Sequence, residues 1–76
     1  MARVNELVAT RVRDILAGEG ISQHDFFVAT GMAERTGARR LAGASSWSTD
    51  ELAAAAKFLG VPISELVDAD DEAVAS

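Results

Sequence analysis

The strongest constraint on the fold is the stretch from Ser22 to Gly43, which predicts two short helices joined by a glycine turn. Ser22 is a good helix N-cap, and no Gly or Pro interrupts Gln23 to Thr30. Gly31 follows where this helix should end, because glycine adopts the left-handed conformation without steric cost. A second helix is predicted from about Ala33 to Ala42. Two helices joined by so tight a turn cannot lie antiparallel, so we expect them to cross steeply.

The residues before this stretch predict an amphipathic helix. Between Val4 and Leu16, apolar residues recur at three- and four-residue steps, which places them on one helical face. We expect Gly18 and Gly20 to end this helix. Arg11 and Arg13 are expected to be solvated surface charges, with contact to a phosphate group as the alternative.

The residues after Gly43 predict a loop and two more helices. We expect Trp47 to pack at the edge of the core, because its ring is mostly apolar. The capping box from Ser48 to Glu51 marks the start of the fourth helix, and Gly60 marks its end. A short fifth helix is predicted over residues 62–67. Residues 1–68 are therefore predicted to form an all-α domain, and residues 69–76 a disordered acidic tail.

Composition excludes several classes of function. The 76 residues include no cysteine, and His24 is the single histidine, so we predict no metal site. No nucleophile–base pair and no phosphate-binding glycine loop is present, so we predict no catalytic residues, no cofactor and no enzymatic activity. No apolar run approaches the ~18 residues of a membrane span, and the N-terminus lacks a signal-peptide core. We expect a cytoplasmic protein of a bacterial cell that contacts no membrane and no small-molecule ligand.

Charge is distributed unevenly along the chain. The net charge of −5 by itself argues against a nucleic-acid partner. Residues 1–43, however, carry six arginines against five acidic residues, whereas residues 44–76 carry Lys57 against seven acidic residues. Because the arginines are clustered, a basic face can exist on an acidic molecule.

The order and spacing of several short motifs together indicate a known family. These are Gly20 to Gln23 ahead of the second helix, Gly31 at the turn, and Arg39 to Gly43 at the end of the third helix. Trp47-Ser48, Asp50-Glu51-Leu52 and Leu59-Gly60-Val61-Pro62 follow downstream. The pattern resembles the lambda-repressor/Cro-like helix-turn-helix family of DNA-binding regulators. The resemblance implies a compact five-helix lambda-repressor-like domain whose second and third helices form the helix-turn-helix.

The resemblance also implies a double-stranded DNA operator as the partner and assigns the contact residues. In this family the third helix lies in the major groove. The residues carried over to the groove side, as base contacts, are Ala33, Glu34, Arg35, Ala38 and Arg39. Arg35 can donate two hydrogen bonds to guanine O6 and N7, and Glu34 can accept a hydrogen bond from a cytosine amine. Arg39, one turn further along the helix, can contact either a base or a phosphate. The predicted phosphate contacts are Gln23, Arg40, Ser45 and Ser46.

Three residues depart from the family pattern. Phe27 stands where the family usually has Ala, and Gly37 stands where it usually has Val or Ile. These two positions face each other across the helix crossing, so we interpret them as a compensating pair that conserves volume. Arg40 stands where the family has an aliphatic residue, and we expect it to extend its charge outward or to contact phosphate.

Two classes of function stay open at this stage. The first is a transcriptional regulator, most simply a Cro-like or immunity repressor of a phage or prophage. The alternative is a protein-binding helix-turn-helix module, such as an antitoxin, an anti-repressor or a DNA mimic, which would suit the acidic charge. We expect a monomer or a weak homodimer, because few apolar residues remain for an interface. These are Ile63, Leu66, Val67 and Val74.

Overall fold

A computed structural model describes residues 2–67, which form five α-helices and, within that range, no strand. The helices are α1 (Ala2–Glu19), α2 (Gln23–Thr30), α3 (Glu34–Leu41), α4 (Thr49–Leu59) and α5 (Ile63–Val67). The prediction of an all-α, five-helix domain is confirmed. The predicted acidic tail over residues 69–76 lies outside the described residues. None of these helices is both long and apolar enough to cross a bilayer.

The first helix supplies one wall of the core. Val8, Val12 and Leu16 are spaced four residues apart and are almost completely buried, and α1 packs against α3 and α5. The helix ends at Glu19, between the two glycines that were predicted to end it, and Gly18 itself is still helical. Gly20, at a φ of +70°, makes the turn that leads into α2.

The α2–α3 unit has the boundaries that its capping residues predicted. The Ser22 hydroxyl accepts a hydrogen bond of 3.0 Å from the Asp25 N–H at the start of α2. Gly31 ends α2 at a φ of +78°, and the Met32 N–H donates to the Phe27 carbonyl at 3.0 Å. A three-residue turn, 31–33, therefore separates the two helices.

An aromatic cluster fills the space between α2 and α4. Phe26 has no exposed surface, and its ring centroid lies 6.0 Å from Phe27, 6.4 Å from Trp47 and 5.9 Å from Phe58. Tilted aromatic pairs at such distances each contribute ~0.5–1.5 kcal/mol beyond their burial. The prediction that Trp47 packs in the core is confirmed, and its ring fixes the end of the loop that connects α3 to α4.

The fourth and fifth helices close the domain. Ser48 and Glu51 form the predicted capping box, in which each side chain accepts a hydrogen bond from the backbone N–H of the other. Leu66 has no exposed surface and Val67 is half-buried, so Leu66 is not available for the predicted homodimer interface. Ile63 remains 37% exposed, and Val74 lies outside the described residues.

Candidate nucleic-acid interface

Helix α3 presents one exposed face and buries the other. Gly37 and Leu41 are its buried residues and lie on the side that faces the core. Side chains four positions apart share a helical face, so Arg35 and Arg39 lie one above the other. Every residue predicted to contact bases is exposed, namely Ala33, Glu34, Arg35, Ala38 and Arg39. The structure therefore presents these residues to solvent together, and their contacts with bases stay predictions.

The exposed face of α3 carries uncompensated positive charge. No ion pair joins Arg35 or Arg39 to another residue of the described chain. Glu34, in the first turn of α3, approaches His24 of α2, with 3.7 Å between the carboxylate Oε2 and the ring Nδ1. Both of these side chains are about two-thirds exposed, at 69% and 68%, so water and salt screen their interaction.

The start of α2 provides backbone donors beside this face. Gln23, a predicted phosphate contact, is the first residue of α2 and is exposed. The first N–H groups of a helix have no partner inside the helix, and Ser22 satisfies the one at Asp25. The remaining donors, together with the helix dipole, make such an end suitable for an anion.

Close packing of Phe27 against Gly37 joins the two helices of the unit. A Cβ atom added to Gly37 would lie 2.4 Å from Cε1, 2.5 Å from Cδ1 and 2.8 Å from Cζ of the Phe27 ring. The ring therefore occupies the volume that a side chain at position 37 would need. The prediction that Phe27 and Gly37 face each other and compensate in volume is confirmed.

Two arginines of α1 hold neighbouring helices through backbone carbonyl groups. Arg13 donates to the carbonyl of Leu41, the last residue of α3, where a cation also complements the negative end of the helix dipole. Arg11 donates to the carbonyl of Glu65 in α5 at 2.8 Å. The expectation that both arginines are merely solvated is wrong, because each connects α1 to another helix.

The most extensive polar contact of this region is made by Arg40. Its Nε donates to Glu51 Oε1 at 2.8 Å and its Nη2 donates to Oε2 at 3.2 Å, so the guanidinium binds both carboxylate oxygens. Its Nη1 donates to the Ser45 hydroxyl oxygen at 2.5 Å. The side chains of Arg40 and Glu51 are only 20% and 21% exposed. Arg40 thus has internal partners, which neither of the two expectations for it included, and its phosphate contact stays a prediction.

Glu51, the carboxylate partner of Arg40, is ionised at neutral pH. The hydrogen bond from Arg40 lowers the pKa of the Glu51 carboxyl below its ordinary value of 4.5. Burial acts in the opposite direction on this pKa, and hydrogen bonds from Ser48 add to the lowering. Because Glu51 stays ionised, Arg40 adds no net charge to the surface on which Arg35 and Arg39 lie.

The two predicted phosphate-binding serines lie in the loop between α3 and α4. Ser45 is half-buried and accepts the hydrogen bond from Arg40, whereas Ser46 is exposed. Sequence analysis missed Glu51 as the partner of Arg40. The available signal was a charged residue at an aliphatic position of the pattern, which requires a counter-charge when it is buried. Within the described residues no group of three or more acidic or histidine side chains could hold a metal ion.

Comparison with known families gives one match. The model of the BetR domain, a family of small helix-turn-helix-like domains, matches residues 3–76 and thus almost the whole chain. No curated protein and no solved structure matches the chain. The family match agrees with the five-helix architecture and supports the helix-turn-helix resemblance in its general form.

Proposed function

The chain belongs to the BetR domain family, and we propose that it is a sequence-specific, double-stranded DNA-binding transcriptional regulator that inserts α3 into the major groove. The family match supports a DNA-binding regulatory module. The further assignment of α3 as the recognition helix follows from its exposed face and from its place as the second helix of the unit.

The observation that carries the proposal is that two arginines of α3, Arg35 and Arg39, form no ion pair with any of residues 2–67. Arg35 lies in the first turn of the helix, where helix-turn-helix proteins contact base edges, and Arg39 follows one turn later. A guanidinium presents two parallel donors that match guanine O6 and N7.

On the resemblance of its motifs, we propose a repressor of the Cro-like type, acting on an operator of a phage or prophage. Such proteins recognise two half-sites as dimers. Leu66 is buried, and the large apolar residues exposed within the described part of the chain are only Val4, Val28, Phe58 and Ile63. We therefore propose a monomer or weak dimer at micromolar concentration in the absence of DNA. A tight dimer in sedimentation equilibrium would contradict this.

A salt titration of DNA binding tests the proposed function. A preferred duplex is first selected from a random library, and affinity for it is measured by fluorescence anisotropy at several salt concentrations. Even as base contacts, Arg35 and Arg39 carry two positive charges into the groove between the phosphates and displace condensed counterions. The logarithm of affinity should therefore fall with the logarithm of salt with a slope of about −2 or steeper per chain. A slope near zero, or no selected sequence, would contradict a sequence-specific DNA-binding function.

The matched control uses a cation on another helix. The double substitution Arg35→Gln and Arg39→Gln should weaken binding strongly and make the slope shallower by about two. Lys57→Gln removes one exposed charge from α4 and should leave both quantities nearly unchanged. If Lys57→Gln had about half the effect of the double variant, only net charge would matter and α3 would not be the binding surface.

The alternative function is binding to a protein partner. The net charge of −5 and the neutralisation of Arg40 by Glu51 favour it, because both reduce the attraction to DNA. It would become the better proposal if the unaltered chain failed to bind any duplex at low salt.

A further inference from the structure

The contacts of Arg40 tie together both ends of the loop that follows α3. Arg40 lies near the end of α3, Ser45 in the middle of the loop, and Glu51 in the first turn of α4. Glu51 Oε1 also accepts the Ser48 N–H at 2.8 Å, so the same carboxylate holds the arginine and the start of α4. The loop is therefore fixed in place by a single polar network.

The hydrogen bond to Ser45 determines what that serine can do. A hydroxyl has one proton to donate and two lone pairs that accept. Since Arg40 Nη1 occupies a lone pair of the Ser45 oxygen, the hydroxyl proton remains available for another acceptor. Hydrogen bonds in chains strengthen one another, so a hydroxyl that accepts from a guanidinium becomes a better donor to an anion.

We propose that Arg40 is a positioning residue that acts on a DNA phosphate through Ser45, which it orients and polarises as a hydrogen-bond donor, and that Arg40 does not itself neutralise a phosphate. This inference rests on the proposed DNA-binding function. It replaces the expectation of a direct contact between Arg40 and the DNA backbone.

Two observations favour the indirect role over a direct one. Both oxygens of Glu51 are already bound to Arg40, so the charge of the guanidinium is compensated within the protein. A direct phosphate contact would compete with this half-buried pair, in which leaving either ion without its partner is costly. A neutral hydroxyl donor, in contrast, can contact phosphate without breaking the pair.

The test compares Arg40→Gln, Ser45→Ala and the combination of both. Ser46→Ala, alone and combined with Arg40→Gln, is the matched serine control, and Arg40→Gln/Glu51→Gln is the charge control. Affinity and salt slope are measured on the selected duplex at a temperature where circular dichroism shows each variant to be folded. Arg40→Gln and Ser45→Ala should each weaken binding by a similar factor of about 2–10, the value of one hydrogen bond. The double variant should be no weaker than either single variant. The salt slopes of Ser45→Ala and of the charge control Arg40→Gln/Glu51→Gln, in which no carboxylate is left unpaired, should match that of the unaltered chain. Ser46 makes no hydrogen bond with Arg40, so the effects of Ser46→Ala and Arg40→Gln on affinity should simply add in free energy when the two are combined.

Three results would overturn the proposal. A slope shallower by about one in the charge control Arg40→Gln/Glu51→Gln would show a direct phosphate contact. Losses that multiply in the double variant would show that Arg40 and Ser45 act independently. A lower melting temperature with unchanged affinity of the folded protein would show that Arg40 is only structural.

A conservative variant keeps the test decisive if Arg40→Gln does not fold. Arg40→Lys retains the charge but cannot hydrogen-bond to Glu51 and Ser45 at the same time, because an ammonium group lacks the planar set of donors of a guanidinium. We expect it to lose affinity as Ser45→Ala does, whereas full affinity would favour direct charge contact. If the unaltered chain shows no salt-dependent binding to any duplex, the proposed function itself fails, and the role of Arg40 at phosphate fails with it.

Discussion

The substitution Gly37→Ala is the sharpest probe of how α2 and α3 are held together. The added Cβ would lie 2.4 Å from the nearest atom of the Phe27 ring. Ordinary carbon–carbon contacts are ~3.5–4.0 Å, so the ring would have to move by about 1 Å. Phe27 is only 4% exposed and its ring packs beside Phe26, so the movement would displace other core side chains.

Two opposing free-energy terms set the magnitude. Replacing glycine by alanine within a helix stabilises it by about 1 kcal/mol. Overpacking of a well-filled core costs about 1–3 kcal/mol. We therefore expect Gly37→Ala to leave the free energy of unfolding unchanged or to lower it by up to about 2 kcal/mol. Gly37→Val should lower the free energy of unfolding further, because valine has a larger side chain that adds strain and a lower helix propensity than alanine.

Gly18 provides a matched control for the helix-propensity term. It lies within α1, is exposed, and a Cβ added there would have no atom within 4 Å. Gly18→Ala should stabilise the domain by up to about 1 kcal/mol. The difference between the two variants isolates the packing strain, and in thermal melts it should exceed about 4 °C for a domain of this size. Equal stabilisation by both substitutions would refute the close packing of Phe27 on Gly37.

A double-mutant cycle tests the compensation directly. Phe27→Ala alone should leave a cavity and cost about 3 kcal/mol or more. Combined with Gly37→Val, it restores the small-plus-branched pairing usual in the lambda-repressor/Cro-like family, and the added methyl groups refill part of the cavity. We expect a favourable coupling free energy of about 1–3 kcal/mol. Additive losses would mean that the two side chains do not share the same space.

Three further predictions concern the DNA-binding face and its support. Arg35→Ala should reduce the binding free energy by about 1–3 kcal/mol on the selected duplex and by little on a scrambled one. We expect Arg39→Ala to behave similarly. Equal weakening of binding to both duplexes would contradict base recognition. The pKa of Glu51 is lowered in the folded state, so the ionised Glu51 side chain stabilises the fold above pH 4.5, and this stabilisation is lost as the pH falls through the lower, folded-state pKa. In urea melts, the free energy of unfolding of Glu51→Gln should therefore depend less on pH in that acidic range than that of the unaltered chain. Ala33 is the N-cap of α3, with φ −66° and ψ 148°, but its side chain makes no capping hydrogen bond. Ala33→Ser should therefore raise the free energy of unfolding by about 1 kcal/mol. An unchanged melting temperature would contradict a cap at this residue.

The parts of the fold that the sequence predicted well are those decided by local interactions. Ser22 and Gly31 mark the ends of α2 because a cap involves only residues within one helical turn. The capping box at Ser48 is local in the same sense. The Phe27–Gly37 contact could be predicted although it joins two helices, because a turn of fixed length leaves those positions facing each other. Of the two glycines at the end of α1, only Gly20 has the left-handed conformation that ends a helix, whereas Gly18 stays helical in the last turn.

The arginine contacts could not be predicted, because they depend on how distant helices are placed. Arg11 contacts a carbonyl 54 positions away along the chain, and Arg13 contacts one 28 positions away. Charge and residue type do not specify such partners, since every helix end offers free carbonyl groups. Arg40 and Glu51 are only 11 positions apart, yet their pairing depends on the path of the loop between α3 and α4.

This pairing changes how the charge of the candidate interface should be counted. By sequence, α3 carries three arginines against one glutamate, which predicts a strongly basic helix. With Arg40 neutralised by Glu51, two arginines remain, and both lie on the face that also carries Glu34. Such a surface supplies little non-specific attraction to DNA. If α3 binds DNA, the affinity must therefore depend on correctly placed hydrogen bonds to bases and phosphates, which makes discrimination between duplexes a stronger test of function than affinity alone.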